Sequence, residues 1–302
     1  MLERLRKALH PLGMRIGAVS AIHIPALYDE FEALRAAGEF GEASAGIVKW
    51  LSKPVGESGL AARTVLVAAV PSSITRLVFH HGGKARAVLA PPTYQDYVKR
   101  PPEIESLLNA ALAEAGFRVK TEEGLPAKLL AVRSGLAEYA QNNIAYVPGM
   151  GSFHYLCTFL SDAPCEDGWR ESRRMAMCDG CTRCAGNCPT GALTADRRII
   201  DVDRCVTWHN ERPSSTPFPE WLDAGAHNSL IGCLRCQAVC PANKEQMSKL
   251  DRPLEFDEAE TTLLLEGAPL ESLPEPLMEK LKLTCVNEYY HVVARNLKAL
   301  LI

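Results

Sequence analysis

What this chain lacks already limits what it can be. It contains no run of about 18 apolar residues, so no stretch reads as a membrane span. The opening residues, Met1 to Leu9, read as an amphipathic surface helix. They have neither an apolar h-region nor a twin-arginine pair, and so give no export signal. Basic residues are not in excess. Lys and Arg number 33 against 36 Asp and Glu, the net charge is −3, and the total shows no basic footprint for nucleic acid. No internal repeat of about 20–50 residues recurs apart from the two cysteine runs, so a repeat architecture is not expected. Disorder is not expected either, because 47% hydrophobic and 23% charged residues are ordinary globular values. The expectation is a cytoplasmic, reducing setting. The 302 residues suffice for about two domains with a sizeable core.

Cysteine is what the chain has in quantity, with 11 residues. Cys178, Cys181, Cys184, Cys188 and Pro189 follow the spacing C-x2-C-x2-C-x3-C-P. Cys233, Cys236, Cys240 and Pro241 follow C-x2-C-x3-C-P, and Cys205 lies between the two runs. Eight thiols in two groups is the number that two 4Fe–4S cubanes need. The short spacings curl successive sulfurs around one cubane, and the Cys before each Pro is swung to the other. The partition expected is Cys178, Cys181, Cys184 and Cys240 on the first cluster, with Cys188, Cys205, Cys233 and Cys236 on the second. A zinc site would leave Cys184, Cys188 and the prolines unexplained, and disulfides require an oxidising compartment. Cys157, Cys165 and Cys285 are left over and read as structural thiols.

Along the chain, Met14 to Ser20 suits an early strand. Pro25 opens a helix with Leu27, Phe31 and Leu34 at near-helical spacing, and Gly38 closes it. Lys53 to Ala62 reads as a loop. Thr64 to Val70 is a continuous apolar run, the mark of a strand buried on both faces, and Ala85 to Leu89 reads as a second. Ile104, Leu107, Leu108, Ala111 and Leu112 form the stripe of a helix beginning near Pro102 and ending at Gly116. A short strand follows at Phe117 to Lys120. Arg133 to Ser152 gathers Asn142, Asn143, Pro148, Gly149 and Gly151, and predicts an exposed, tightly turned backbone. Its readings as a surface loop or a cofactor-facing loop stay even. Pro253 to Pro276 reads as an acidic wrap-around segment. Asn287 to Leu301 reads as a closing helix with Tyr290, Val293, Leu297 and Leu300 on one face.

The cysteine runs, with Pro189-Thr190-Gly191-Ala192-Leu193, Asp201-Val202-Asp203-Arg204-Cys205 and Ile231-Gly232-Cys233, resemble epoxyqueuosine reductase. That family comprises cobalamin-dependent, two-cluster relatives of the reductive dehalogenases. The resemblance continues in Ala131-Val132-Arg133-Ser134-Gly135-Leu136, Gly151-Ser152-Phe153 and Ser161-Asp162-Ala163-Pro164, and more faintly in Asp96-Tyr97 and Arg63 to Val67. It implies an α+β protein: an N-terminal nitroreductase-like, corrinoid-binding α/β domain over 1–170, a ferredoxin-like double-cluster module over 171–250, and a C-terminal wrap-around segment and helix over 251–302. It further implies an external low-potential electron donor and electrons passing through the clusters to a corrinoid, with the chemistry belonging to the cofactor. The D-x-H-x2-G corrinoid motif is absent, although this family is not expected to need it.

The departures fall in the substrate half. The family's Gly-Leu-Gly-Trp-Ile-Gly-Lys stretch corresponds to Gly135-Leu136-Ala137-Glu138-Tyr139-Ala140-Gln141, with two glycines turned to alanine and the lysine to glutamine. Its catalytic aspartate motif D-T-x-P-V has no clear match near Glu122, Glu123 and Pro126. Its Tyr-Gly-Arg-Asp-Tyr-His stretch is reduced to Thr93 to Val98. The helical repeats that many members use towards tRNA are missing from these residues, so tRNA is not expected as a partner. A divergent reductase for a small or nucleoside-like substrate is one reading. An electron-transfer protein that reduces a partner enzyme is the other. For the reductase, Tyr139, Glu138 and Asp162 are the candidate proton donors, although Tyr139 reads more simply as a core aromatic. His209 and Glu211 are placed near the second cluster. The expected cofactor cleft is lined by Gly135, Leu136, Tyr139, Asn142, Asn143, Gly151 and Ser152, with Arg133 beside it, facing the first cluster.

Overall fold

The computed structural model describes residues 1–51, 59–94, 98–196, 199–249 and 253–301. In chain order its helices and strands are α1 (Leu2–Leu9), β1 (Arg15–Ser20), α2 (Ile24–Ala36), α3 (Glu42–Leu51), β2 (Thr64–Pro71), β3 (Thr75–His81), β4 (Lys84–Ala90), α4 (Arg100–Leu112), β5 (Val119–Thr121), α5 (Ala127–Arg133), β6 (Glu138–Tyr139), β7 (Ala145–Tyr146), β8 (His154–Ser161), α6 (Arg183–Gly186), α7 (Val206–Glu211), α8 (Arg235–Ala238), α9 (Lys244–Met247), β9 (Leu254–Phe256), α10 (Glu258–Glu266), α11 (Glu275–Leu283) and α12 (Tyr290–Leu301). They form two compact units, each drawn from separate stretches of the chain. The first takes Met1–Pro71, Tyr97–Thr182 and Ala195–Asp203, and the second takes Ser72–Asp96, Arg183–Thr194 and Arg204–Ile302. Among the described residues, no helix is long and apolar enough to cross a membrane. The family-like positions Asp96 and Tyr97, and most of the Lys53–Ala62 loop, lie outside the described residues.

In the first unit a sheet of order β1-β2-β8-β5 pairs antiparallel throughout. The apolar run at 64–70 is its most buried strand, and alternation along it feeds two cores. Leu66, Ala68 and Val70 meet Leu5 and Leu9 of α1 with Ile104, Leu108 and Leu112 of α4. Val65, Val67 and Ala69 meet Leu27 of α2 with Leu129, Leu130 and Val132 of α5. Helices on both faces, rather than parallel pairing, explain why every residue from Thr64 to Val70 is apolar or buried. Each fully buried leucine contributes about 1.5–3 kcal/mol.

The second unit holds a sheet of order β4-β3-β9, with β9 parallel to β3. Phe79 stacks on Phe256 at 4.7 Å, and Leu277, Leu281, Val292, Val293 and Leu297 close the core beneath them. Here two expectations are corrected. The strand at 85–89 is not buried on both faces: β4 is an edge, and of its residues only Val88 and Ala90 are buried. The supposed acidic wrap-around at 253–276 contains β9 and the helix α10. Asp257 Oδ1 accepts the Glu260 N–H at 2.8 Å, while Glu260 Oε2 accepts the Asp257 N–H at 2.9 Å. This reciprocal box starts the helix, and Gly267, left-handed at φ 70°, stops it. The signal was present in the sequence as Asp257-x-x-Glu260. The closing helix α12 buries Val293, Leu297 and Leu300 as its stripe requires.

His154 opens β8, is 4% exposed, and shares its Nε2 with the Ala145 carbonyl at 3.1 Å. Burial pushes its pKa down to about 4, more than that carbonyl raises it. Below pH ~6.5 an unfolded histidine takes up a proton that the folded one refuses. Stability therefore falls as pH drops from about 6.5 towards 4, by up to ~3 kcal/mol. A His154→Gln variant should lose less stability than wild type in thermal melts between pH 7 and pH 5. Equal slopes would contradict this account of His154.

Candidate redox centre and cofactor cavity

Four of the paired-cluster cysteines, Cys188, Cys205, Cys233 and Cys236, belong to the second unit, and the local fold aims donors at their sulfurs. Burial would raise the Cys188 thiol, but the backbone N–H groups of Thr190, Leu193 and Ala192 and the Thr190 hydroxyl at 3.7 Å bring it below its usual value. Cys205 caps the start of α7. Burial raises it, against the N–H groups of Thr207 and Trp208. Burial pushes Cys233 up to about 11 despite the Arg235 N–H. Cys236 is raised furthest, first by burial and then by Cys233, Cys205, Cys184 and Cys188. The sulfurs are thus near enough to oppose one another's ionisation. Among the described residues, no three His, Cys, Asp or Glu side chains close on a single-ion site. Four half-buried thiolates close together become tolerable once iron supplies positive charge, and N–H groups already directed at sulfur suit that state. The residues fit a 4Fe–4S cluster.

Cys178 and Cys181 belong to the first unit, Cys184 and Cys240 to the second. Cys178 is buried, and its sulfur accepts the Gln141 N–H at 3.4 Å. Gln141 reaches further. Its Oε1 accepts from Arg174 at 2.7 Å, its Nε2 donates to the Ala195 carbonyl at 3.3 Å, and Arg174 also holds Asp179 at 3.0 Å. Gln141, Arg174 and Asp179 all line a cavity of 1290 Å³ in the first unit. This exceeds the ~300–1,000 Å³ of ordinary small-ligand pockets. Its walls are α2 (Glu30, Phe31, Leu34), α3 (Ser44, Val48), the segment 123–129, β8 (Tyr155 to Thr158) and Ile199, Ile200 and Val202.

Helix α3 is placed there from a distance. Asp203 Oδ1 accepts the Ala43 N–H at 3.1 Å, capping the helix from outside. Residue 41 must be glycine for this, because a Cβ would stand 2.1 Å from the Asp203 carboxylate.

The proposed site residues divide. Tyr139 and Asn143 line the cavity, whereas Gly135, Leu136, Asn142, Gly151 and Ser152 are not on its wall. Asn142 is buried and donates to the Tyr146 hydroxyl at 3.1 Å. Gly135, at φ 70°, lies against the Arg170 guanidinium and leaves no room for a side chain. Arg133 holds Glu30 at 2.6 Å and lies over Trp169 at 5.0 Å. Asp162 accepts the Arg118 N–H at 2.7 Å beside β5, and Glu138 points to solvent on the exposed side of β6. The expectation of an exposed backbone over 133–152 is overturned, since Ser134, Gln141, Asn142 and Ser152 are buried. Turn residues there satisfy one another internally and form part of the core. Burial, then Glu30, raise the Tyr139 hydroxyl well above its ordinary pKa, against Arg133, so it stays protonated. Glu30, Glu123, Arg173, Arg174 and Asp179 on the cavity wall were not singled out as site residues, because nothing in their spacing distinguishes them from surface charges. Of the leftover thiols, Cys157 is buried on the cavity wall and Cys285 is buried in the second unit.

Comparisons with known proteins agree with this picture. Residues 177–243 match the 4Fe-4S double cluster binding domain family. The chain is 32% identical over 136 residues to the epoxyqueuosine reductase of Bacillus subtilis, which is 43% of this chain and 32% of that protein. It is 32% identical over 145 residues to that of Burkholderia pseudomallei, 45% and 35% respectively. These matches span about a third of the relatives' length. The solved Bacillus subtilis epoxyqueuosine reductase superposes with a TM-score of 0.65 at 23% identity, over 99% of this chain and 80% of that one. Another epoxyqueuosine reductase, solved with a tRNA-Tyr epoxyqueuosine-modified tRNA stem loop, gives 0.67 at 20% identity with the same coverage. The chain thus shares the mixed α and β fold of these enzymes, and its cysteine-bearing stretch is that of a double-cluster domain.

The expectation that tRNA is not a partner is corrected by the stem-loop complex, since a protein of this fold holds tRNA. A near-neutral total charge averages over the whole surface and is no guide to one face.

Anaerobically prepared protein should carry about eight irons per chain, four for each cubane. Cys205→Ser should retain about half, with one set of reduced-cluster EPR signals lost. About four irons in intact wild type, or tightly bound zinc, would contradict the two-cluster assignment.

Proposed function

We propose that the chain is an iron–sulfur reductase of the epoxyqueuosine reductase kind, with a corrinoid and the reacting group of a nucleoside-like substrate sharing the first unit's cavity. As in the relative solved with a stem loop, the substrate is a modified nucleoside carried in tRNA. The observation behind this reading is that the cavity wall includes Gln141, whose backbone N–H is bonded to the Cys178 sulfur. A cavity of 1290 Å³ with one wall on a cluster ligand suits a large acceptor better than it suits a simple electron carrier. The bound groups supply low-potential, one-electron chemistry from the clusters and reducing power at cobalt.

The chain's own residues do the rest. Ser44, Asn143 and Arg173 offer polar contacts to a large macrocycle's periphery, and Phe31, Leu34 and Val48 exclude water. Reduction of an epoxide or a similar group to an alkene or saturated product also consumes protons. Tyr139 remains protonated at neutral pH and is on the wall, and Glu123 is also on the wall, in the stretch where the family's aspartate motif has no clear match. Glu30, clamped by Arg133, orients beside Tyr139.

Protein reconstituted anaerobically with cobalamin should retain a corrinoid absorption band through gel filtration. Ser44→Trp, which fills the cavity, should abolish retention while leaving iron near eight per chain. No retention in wild type favours the electron-carrier alternative, and retention unchanged in that variant would place the corrinoid outside this cavity. With an epoxyqueuosine stem loop as substrate, Tyr139→Phe or Glu123→Gln should lower turnover by about a hundredfold. If both variants turn over normally, neither residue supplies the proton.

A further inference from the structure

Electrons must enter this protein from outside, and their rate of transfer falls steeply with distance, so a donor has to dock close to a cluster. Around the second sulfur group, Cys205 is carried on a loop with unusual surface chemistry. Trp208 lies on α7 three residues beyond Cys205, and its indole lies under the Arg212 guanidinium at 5.2 Å. Arg204, next to Cys205 in the chain, donates from Nε to the Thr190 carbonyl at 2.7 Å. Its guanidinium lies over the Trp221 indole at 5.1 Å. The Thr190 hydroxyl in turn meets the Cys188 sulfur at 3.7 Å. Arg204 thus ties two ligand loops together and rests on an aromatic ring that is 44% exposed.

Two indoles and two guanidinium groups therefore cover the outside of the Cys205 loop, and among the described residues neither Arg204 nor Arg212 has a carboxylate partner. The carboxylates nearby are mostly engaged elsewhere. Glu211 accepts the Tyr94 hydroxyl, Asp223 accepts the Gly225 N–H at 2.7 Å and Asp203 accepts the Ala43 N–H at 3.1 Å, while Glu220 stands exposed beside Trp221. Exposed tryptophan and arginine are the residue types enriched at protein interfaces, and paired guanidinium groups attract carboxylate-rich surfaces.

We propose that the Arg204, Trp208, Arg212 and Trp221 face is the entry port for an acidic, low-potential, one-electron carrier protein. The exchange balances simply: the carrier is oxidised by one electron, and the cluster held by Cys188, Cys205, Cys233 and Cys236 is reduced by one. The port rests on the iron–sulfur reductase reading but not on the identity of the substrate.

The test is stopped-flow reduction of the cluster-loaded protein by an acidic [2Fe–2S] ferredoxin reduced beforehand, followed by cluster absorbance. Wild type should be reduced at a rate that falls as salt is raised. Trp221→Glu and Arg212→Glu should each slow the reaction by about tenfold or more, since electrostatic steering contributes on that order. Their iron content and their reduction by dithionite, which needs no docking surface, should match wild type. Three results would overturn the port: wild type not reduced by the ferredoxin, variants reduced at the wild-type rate, or variants equally slow with dithionite. In each of them, normal dithionite reduction and corrinoid retention in wild type would leave the reductase reading intact.

Discussion

The cost of ionising closely spaced, half-buried sulfurs is the constraint on which the rest of this protein depends. Burial first, and then the charge of neighbouring sulfurs, raise the ionisation cost of Cys205, Cys233 and Cys236, while the N–H groups around Cys188 bring it below its usual value. Left to themselves Cys205, Cys233 and Cys236 would stay neutral thiols. Iron reverses that balance, and the loops have prepared for it by directing backbone N–H groups at three of the four sulfurs. These donors belong to residues two to five positions beyond Cys188, Cys205 and Cys233. Cluster binding and the local fold of the second unit are therefore one problem, and metal binding is coupled to folding.

The first unit solves a different problem. Its antiparallel sheet is covered by helices on both faces, and that rigidity lets the chain keep a large cavity open at one side. Gln141 is the residue through which the cavity and the Cys178 sulfur share a boundary. Where the family places a lysine, a neutral amide here accepts from Arg174 and donates to Ala195. A lysine could not do both, because it has no acceptor. The loss of that charge reads as a rebuilt wall rather than as simple decay. Asp203 plays a comparable part from the cluster-bearing stretch, holding the start of α3 against the cavity.

Legibility from sequence followed the strength of the local signal. The cysteines were legible because ligand number and spacing are set by a rigid inorganic core. The 64–70 strand and the α4 stripe were legible because burial imposes a period on apolar residues. The edge strand β4 was misjudged because its apolar run of alanine and valine does not show which face is covered. Helix α10 was passed over although its capping box stands in the sequence. Gly135, Gly151 and Asn142 were credited with lining the cavity, yet their composition reflected tight internal turns. The residues that do line it, such as Glu30, Arg173 and Ile199, come from segments far apart in sequence. Only the tertiary fold brings them together, and no spacing rule links them.

The cavity of the first unit and the Cys178 sulfur share one wall through Gln141, so an acceptor bound there would lie beside a cluster held by Cys178. The most direct measurement is EPR of the reduced clusters with and without a paramagnetic corrinoid bound. The account predicts that bound corrinoid broadens one cluster signal and speeds its relaxation, while the other changes less. Both cluster signals unchanged by a corrinoid that is demonstrably retained would contradict it.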